Sequence, residues 1–233
     1  MAEPGDETDA VRERYARRSA GDRRYSLLDP AALRERQARQ RALVRLFDRH
    51  GLVDLSPLRL TEVGCGEGNN LLELLQLGFA PAHLHGIELL PERHAAARAR
   101  LPAATELTLG DACLATVPPQ SQDLVLAATV FSSLLDDTFQ QRLAAAMWQW
   151  LKPGGAVIWY DFTFDNPRNA DVRGVPLARL QALFPQGRVA AQRVTLAPPL
   201  ARAVCRWHPA LYGVFNALPL LRTHLLAWIA KPG

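Results

Sequence analysis

The chain has 233 residues, of which 48% are hydrophobic and 21% are charged, and its formal net charge is +4 at pH 7. This length suffices for one domain with a full core, and no apolar run reaches the roughly 20 residues that a membrane-spanning helix requires. The three cysteines, Cys65, Cys113 and Cys205, are odd in number and widely spaced, which indicates neither a disulfide framework nor a metal site. The acidic, polar N-terminus is unlike a secretory signal peptide, so we expect a cytoplasmic protein without a bound metal.

The first fifty residues are rich in arginine. Two of the 27 basic residues are lysines, which leaves 25 arginines, and twelve of these lie between Arg12 and Arg49. The pattern predicts helices over residues 10–20 and 30–50, each followed by a glycine. A basic cluster of this kind can contact nucleic acid, lipid phosphate or an acidic glycan. Because acidic residues are interleaved, we interpret it as two solvated helices and treat nucleic-acid binding as the alternative.

Residues 60–70 (LTEVGCGEGNN) form the most informative pattern in the chain. An apolar strand leads into Glu62, glycines follow at positions 64, 66 and 68, and an apolar helix runs over residues 71–77. Glycines let the backbone approach a ligand closely, and a helix N-terminus offers unpaired N–H groups. The spacing differs from the G-x-G-x-x-G of a dinucleotide site, and no Gly-Lys-Ser/Thr of a P-loop follows. Since Glu62 would repel a polyphosphate, the loop favours a nucleotide-type ligand with a positive end.

Two further predicted strands end in acidic residues. One covers residues 83–89 and contains Glu88, 24 positions after Gly64, and the other covers residues 106–109 and is followed by Asp111. A carboxylate at the end of the second strand of such a fold can accept hydrogen bonds from both ribose hydroxyls. A fourth strand over residues 123–131 is apolar almost throughout, as expected of a central parallel strand.

A predicted amphipathic helix over residues 137–151 is followed by Leu-Lys-Pro-Gly-Gly and a fifth strand over residues 156–162. The glycine loop, Glu88, Asp111 and the Leu-Lys-Pro-Gly-Gly turn, in this order, resemble the motifs of class I S-adenosylmethionine (SAM)-dependent methyltransferases. The resemblance covers residues 58–162, nearly half of the chain. It implies an α/β, Rossmann-like fold with a seven-stranded sheet in the order 3-2-1-4-5-7-6, with strand 7 antiparallel and helices on both faces.

The resemblance also implies a SAM site. The glycine loop would contact the methionine part, Glu88 the ribose, and Asp111 with the backbone N–H of Ala112 the adenine. The end of the fourth strand would lie beside the transferable methyl group, and an N-terminal segment containing Tyr25 would close over the cofactor. The predicted cofactor-binding residues are Tyr25, Glu62, Gly64, Cys65, Gly66, Asn69, Glu88, Leu89, Asp111, Ala112 and Ala128.

The C-terminal third is predicted to complete the sheet and to add an insertion. A helix over residues 176–184 and a strand over 187–196 precede an apolar, aromatic segment, and the last strand is expected over 223–231. The single domain would thus divide into a helical lid (1–50), a SAM-binding core (51–197), an insertion (198–222) and the last strand (223–233). Long insertions often carry specificity, so we expect the insertion to be helical and to cover the acceptor site. A peripheral contact with the inner membrane is the alternative.

The methyl acceptor is less defined than the cofactor. The chain lacks the Asn/Asp-Pro-Pro-Tyr/Phe motif of amino-directed nucleic-acid methyltransferases, and its C-terminal third is loosely similar to bacterial methyltransferases associated with surface-polysaccharide assembly. This similarity favours a hydroxyl of a sugar, glycan or related metabolite. A hydroxyl needs a base, for which Asp161, His208 and His224 are the candidates. A small-molecule N- or O-methyltransferase, an RNA-binding methyltransferase and a non-catalytic SAM-binding protein are the alternative hypotheses.

Overall fold

A seven-stranded sheet forms the centre of the molecule. The computed structural model describes residues 6–17, 26–165 and 169–233, and its strands lie in the order β3-β2-β1-β4-β5-β7-β6. β7 is antiparallel to β5 and β6, and the remaining neighbours are parallel. The predicted strand order and the direction of the seventh strand are therefore confirmed. The strands are β1 (Leu60–Val63), β2 (Leu84–Glu88), β3 (Glu106–Leu109), β4 (Gln122–Ala128), β5 (Leu151–Phe162), β6 (Arg188–Leu196) and β7 (Arg222–Ala230).

Helices lie on both faces of this sheet. The first begins at Asp6, four residues before the predicted start. Its first turn is fixed by tertiary contacts that no local pattern reveals, because the Glu7 carboxylate accepts hydrogen bonds from Leu135 N and from Arg14. The helices are α1 (Asp6–Ala16), α2 (Pro30–Arg49), α3 (Asn69–Leu77), α4 (Pro91–Arg100), α5 (Asp137–Trp150), α6 (Leu177–Leu183), α7 (Pro198–Trp207) and α8 (Leu211–Asn216).

Helix α2 shows how sequence and packing agree. Asp29 caps its N-terminus by accepting hydrogen bonds from Ala31 N and Ala32 N, and Pro30 occupies the first turn, where its missing N–H costs nothing. The helix buries an apolar stripe along one side, as its 3.6-residue period requires. The buried members of this stripe are Ala31, Ala38, Leu43, Leu46 and Phe47.

Side chains of the central strands alternate between two apolar clusters, one on each face of the sheet. On one face, Val125, Val157 and Trp159 pack with α1, α5 and α6. On the other face, Leu126 and Ile158 pack with α2, α3 and α4. Both faces are thus covered, which explains why β4 and most of β5 read as continuous apolar runs.

The predicted insertion contains α7 and α8 and forms a further layer outside α2. Its buried residues meet the N-terminal half of α2 and the end of β6 in a third cluster. No helix in the described part of the chain has the length and apolar composition needed to cross a membrane. The third cluster comprises Ala31, Ala38, Leu196, Ala201, Val204, Cys205 and Tyr212.

Candidate active site

The glycine loop between β1 and α3 adopts a backbone that non-glycine residues rarely adopt. Gly64, Gly66 and Gly68 have φ angles of 62°, 58° and 78°. A Cβ at Gly64 would lie 2.8 Å from a methyl carbon of Val130, in the turn that follows β4. The loop is therefore held close to the end of β4, and its peptide groups line the carboxyl edge of the sheet.

The Glu88 carboxylate at the end of β2 fixes this loop. It accepts hydrogen bonds from Gly66 N at 2.7 Å and from Leu90 N at 2.9 Å. Each carboxylate oxygen has a second lone pair, so Glu88 can accept further hydrogen bonds from a ligand. The position matches the predicted ribose contact.

Helix α1 packs against the turn that follows β4 and beside α4. Asp111 accepts a hydrogen bond from Cys113 N through one oxygen, while Ala112 and Leu89 pack at the margin of the core. The Arg93 guanidinium lies over the Tyr15 ring at 4.7 Å, and Arg93 also approaches Gly66. Helix α1 thus lies where the predicted N-terminal lid should cover an adenosine, and the lid function stays a prediction. Tyr25, the predicted lid residue, lies outside the described residues.

Glu62 lies at the centre of a polar network under the loop. Its Oε1 accepts a hydrogen bond from Asn70 at 2.6 Å, Asn70 accepts one from Arg39 at 2.6 Å, and Arg39 also contacts Glu73 at 3.2 Å. Glu62 is fully buried, and its Oε2 has no hydrogen-bond partner in the described structure. Burial raises the pKa of Glu62 to about 8, against the opposing effects of Asn70 and Arg39. A buried carboxylate with an unpaired oxygen suits a cationic ligand group such as an ammonium.

A narrow chamber of about 20 Å³, enough for about one water molecule, continues from this network between α2 and the sheet. The Tyr160 ring lies in its wall, with Arg39 at 5.4 Å from the ring centroid and the Thr195 hydroxyl 2.9 Å from the Tyr160 oxygen. Thr129, directly after β4, and Thr195 have φ angles of 56° and 62°. Such angles are strained for β-branched residues, and strain of this kind concentrates at functional sites. The chamber is lined by Arg39, Leu43, Asn70, Glu73, Leu74, Leu126, Ala128, Ile158, Tyr160 and Leu226.

The three predicted bases occupy different environments. His224 stacks on Tyr160 with ring centroids 5.0 Å apart, at the chamber side of the sheet. Asp161 projects to the opposite face, where it is buried and accepts hydrogen bonds from Ser132 N and Phe162 N. His208 is exposed in the turn between α7 and α8, where its Nδ1 accepts from Ala210 N. Of the three, only His224 is therefore placed beside the chamber.

Burial changes the pKa values of two of these groups in opposite directions. It raises the pKa of Asp161 to about 7, despite the hydrogen bonds from Ser132 and Phe162. Burial, together with the positive charge of Arg39, lowers the pKa of His224 to about 4. His224 is thus a neutral imidazole at neutral pH, which is the form that can accept a proton.

Two predicted cofactor residues make contacts within the protein, and their cofactor contacts stay predictions. The Asn69 side chain is exposed and accepts a hydrogen bond from Arg100 at 2.9 Å, while the adjacent Asn70 points to Glu62. Cys65 is buried beneath the loop, where desolvation raises the pKa of its thiol. The loop sequence could have suggested Asn70, which is the second of the Asn pair. Nothing local distinguishes Arg39 from the other arginines of the N-terminal region, and Tyr160 carried no signal beyond its strand.

Comparison with known proteins identifies the domain. Residues 61–155 match a family model described as a methyltransferase domain. No curated protein was found to match the chain.

Many solved structures share the fold. A SAM-dependent methyltransferase from Mesorhizobium loti is 18% identical, with 78% of this chain and 95% of that chain covered and a TM-score of 0.58. Phosphoethanolamine N-methyltransferase 2 of Haemonchus contortus, in complex with SAM, is 17% identical over 84% of this chain and 52% of that chain, with a TM-score of 0.61. The [4+2]-cyclase SpnF is 18% identical over 84% and 82%, with a TM-score of 0.61. At such identities these similarities establish the fold, and the cyclase shows that the fold alone does not determine a reaction.

The domain match over residues 61–155, the sheet order and the acids at the strand ends agree with the resemblance to class I methyltransferases that use SAM. The site suits that cofactor on three observations. The glycine loop leaves its peptide groups accessible, Glu88 has free lone pairs at the β2 end, and the unpaired Oε2 of Glu62 can meet the ammonium of the methionine part.

Proposed function

We propose that this protein is a SAM-dependent methyltransferase that transfers a methyl group to a hydroxyl of a polar acceptor, with a sugar or a related metabolite as the preferred class. The observation that carries the proposal is the set of side chains around the chamber beside Ala128, which adjoins the cofactor network and combines an aromatic wall with hydrogen-bonding groups. A sugar-sized acceptor requires this narrow chamber to widen on binding. A polyhydroxylated acceptor requires several donors and acceptors around it. The polar groups at or beside the chamber are Arg39, Asn70, Glu73, Tyr160, Thr195, Thr223 and His224.

The cofactor would be held by backbone and carboxylate groups. Gly64 and Gly66 would accommodate the methionine part, Glu62 its ammonium, Glu88 the ribose hydroxyls and Asp111 the adenine. Bound SAM supplies an activated methyl group for in-line displacement, and the protein supplies alignment. The strained turn at Thr129 places the end of β4 against the β5 backbone, where Thr129 N donates to Tyr160 O at 2.7 Å.

His224 would take the proton from the acceptor hydroxyl. Its Nδ1 lies 3.1 Å from the Thr223 hydroxyl, and its Nε2 makes no hydrogen bond within the described residues. The ring is held by stacking on Tyr160 and by an edge contact with Phe162. A neutral, oriented imidazole within reach of a substrate is the arrangement that general-base catalysis needs. This role makes Asp161 a positioning residue, since it holds the turn after β4 from the opposite face.

A small amine is the second candidate acceptor. Glu73 is buried at the chamber, and Glu35 on α2 makes no hydrogen bond or ion pair among the described residues. Burial raises the pKa of Glu35 to about 7, and Arg202 partly opposes this shift. Carboxylates around an aromatic ring also suit a cationic amine. The structural similarity to a phosphoethanolamine N-methyltransferase agrees with this second class.

Incubation of the purified protein with isotope-labelled SAM tests the proposal. The acceptor panel would contain free and nucleotide-linked sugars, phenols and small primary amines, and Gly66→Val would serve as the cofactor-binding control. We expect label in a hydroxylated product from the wild type and none from the control. Label confined to the amines would establish the second candidate, and SAM binding without label in any acceptor class would contradict both.

A further inference from the structure

The C-terminal part of the chain carries basic residues and no acidic ones. Asp171 is the last acidic residue, and residues 172–233 contain seven arginines and one lysine. Arg193, Arg206 and Arg222 form no ion pair within the described structure, and Arg222 donates instead to two backbone carbonyl groups. Arg173 and Arg179 pair with Asp137, so the arginines without an ion pair are the ones that can meet an anionic partner.

The same region exposes large apolar side chains. Trp207 and Leu220 are each 89% exposed, and Val214 and Leu218 are also exposed. The other four tryptophans of the chain are buried or half-buried. Single exposed apolar residues are ordinary, but four of them within fourteen residues, beside unpaired arginines, mark a surface that binds something.

Helical periodicity places these residues on the side that faces away from the protein body. On α7, the buried residues Ala201, Val204 and Cys205 face α2, so Ala203, Arg206 and Trp207 project outward. These three outward residues also line one shallow depression. On α8, Tyr212 is buried and Val214 projects away from it. We define the outer face as Ala203, Arg206, Trp207, Val214, Leu218 and Leu220.

We propose that the outer face docks the enzyme on the surface of a membrane that contains anionic phospholipids. Tryptophan partitions to the boundary between headgroups and acyl chains, aliphatic side chains enter that boundary, and arginines pair with lipid phosphates. Nucleic acid offers phosphates but no apolar phase for Val214, Leu218 and Leu220, so the combination favours a bilayer. Helix α7 packs directly on α2, and α8 packs on α7 and β6. Because the other side of α2 bounds the chamber, docking would place the chamber across α2 from the lipid.

Vesicle flotation with the full-length protein tests the proposal. Vesicles of phosphatidylcholine alone are compared with vesicles in which about one third of the lipid is phosphatidylglycerol, since the anionic surface potential drives docking. We expect binding to the anionic vesicles that weakens as salt rises. The tryptophan fluorescence should shift to shorter wavelength on binding, and Trp207→Phe should remove most of that shift.

Matched variants separate docking from general surface effects. The double variant Trp207→Ser with Leu220→Ser should bind at least about tenfold more weakly, because it removes the exposed apolar area. Val53→Ser is its control, since Val53 is 96% exposed after the C-terminal end of α2. Arg206→Glu should weaken binding by about fivefold or more, at about 1 kcal/mol per basic residue, whereas Arg45→Glu, exposed on the C-terminal half of α2, should not. All four variants should keep SAM binding and the circular dichroism of the wild type.

Three results would overturn the proposal. The first is no binding to either kind of vesicle, and the second is equal binding by the double variant and the wild type. The third is gel retardation of RNA that the same outer-face substitutions abolish while vesicle binding is unchanged, which would assign the face to nucleic acid. None of these outcomes depends on the identity of the methyl acceptor.

Discussion

The proposed cofactor end and the proposed acceptor end of the site are formed by different kinds of groups. At the cofactor end, the glycine loop and Glu88 act through peptide N–H groups and a carboxylate at a strand end. At the acceptor end, side chains from α2, α3, β5, β6 and β7 meet around Tyr160. The first construction depends on backbone conformations that few residue types allow, so it requires particular residues at fixed spacing. The second depends only on which side chains the fold brings together.

The largest expected effect distinguishes His224 from Asp161, which lie on opposite faces of the sheet at the proposed acceptor end. His224→Gln should lower kcat by about 10² or more, because it removes the general base while keeping a side chain that can form hydrogen bonds. Asp161→Asn should keep kcat within about tenfold and instead lower the free energy of unfolding by roughly 1 to 3 kcal/mol, since it weakens buried hydrogen bonds to Ser132 N and Phe162 N. Single-turnover kinetics and urea unfolding of both variants check this, and the reverse ranking of kcat would make Asp161 the base.

The pH dependence of the chemical step sharpens the same assignment. A folded-state pKa of about 4 for His224 keeps the imidazole neutral above that pH. We therefore expect the acid limb of kcat to lie below pH 6 and to disappear in His224→Gln. A limb near pH 7 that survives in His224→Gln would point to Asp161 or Glu35, whose pKa values are each raised to about 7.

The next effect tests whether the backbone conformation of the glycine loop is needed for SAM binding. In Gly64→Ala, the new Cβ is strained at a φ of 62° and lies 2.8 Å from Val130, so the loop must leave the conformation proposed to bind SAM. We expect this to weaken the free energy of SAM binding by roughly 3 kcal/mol, or about 100-fold in affinity. Gly51 is the matched control, because its φ is 68° and a Cβ added there would meet nothing within 4 Å. Gly51→Ala should leave SAM affinity unchanged in calorimetry. Equal affinities for the two variants would show that close approach at Gly64 is unimportant.

A smaller effect concerns the network that joins the two ends. Arg39→Ala should lower the free energy of unfolding by about 2 kcal/mol, because it leaves Glu73, which is 2% exposed, without its cation. The exposed Arg45 on the same helix provides the control Arg45→Ala. Urea unfolding measures the stability, and substrate kinetics should show a raised acceptor KM with little change in SAM affinity. A change in SAM affinity alone would place Arg39 at the cofactor end.

The smallest effect is on the pH dependence of stability. The folded-state pKa of Glu35 is raised from 4.5 to about 7, so the folded protein binds this proton more tightly than the unfolded chain does. Stability associated with Glu35 is therefore fully present below pH 4.5 and is lost as the pH rises through about 7. The free energy of unfolding of Glu35→Gln, taken relative to that of the wild type, should therefore rise by roughly 2 kcal/mol from about pH 5 to about pH 8. Urea unfolding of both proteins at both pH values tests this. If the difference in their free energies of unfolding is the same at the two pH values, Glu35 is not desolvated in the folded protein.

Much of the fold followed from local pattern. Apolar runs that end in acids or glycines located six strands to within a few residues, and β5 began five residues before its predicted start at 156. The strand order came from the resemblance that the strand-end residues carry, rather than from periodicity. The early start of α1 and the partners of Glu7 could not be anticipated, since Leu135 is 128 positions away along the chain.

The sequence by itself determined the glycine loop and the strand-end acids Glu88 and Asp111 of the proposed cofactor end, because backbone conformation and strand-end chemistry restrict residue type at fixed separations. Only the tertiary structure decided the acceptor end. It directed Asp161 and His224 to opposite faces of the sheet, left His208 exposed, and brought Arg39 and Asn70 together across 31 positions. Side chains that meet only after packing are constrained by shape and charge at the point of contact, and these constraints leave no regular spacing in the chain.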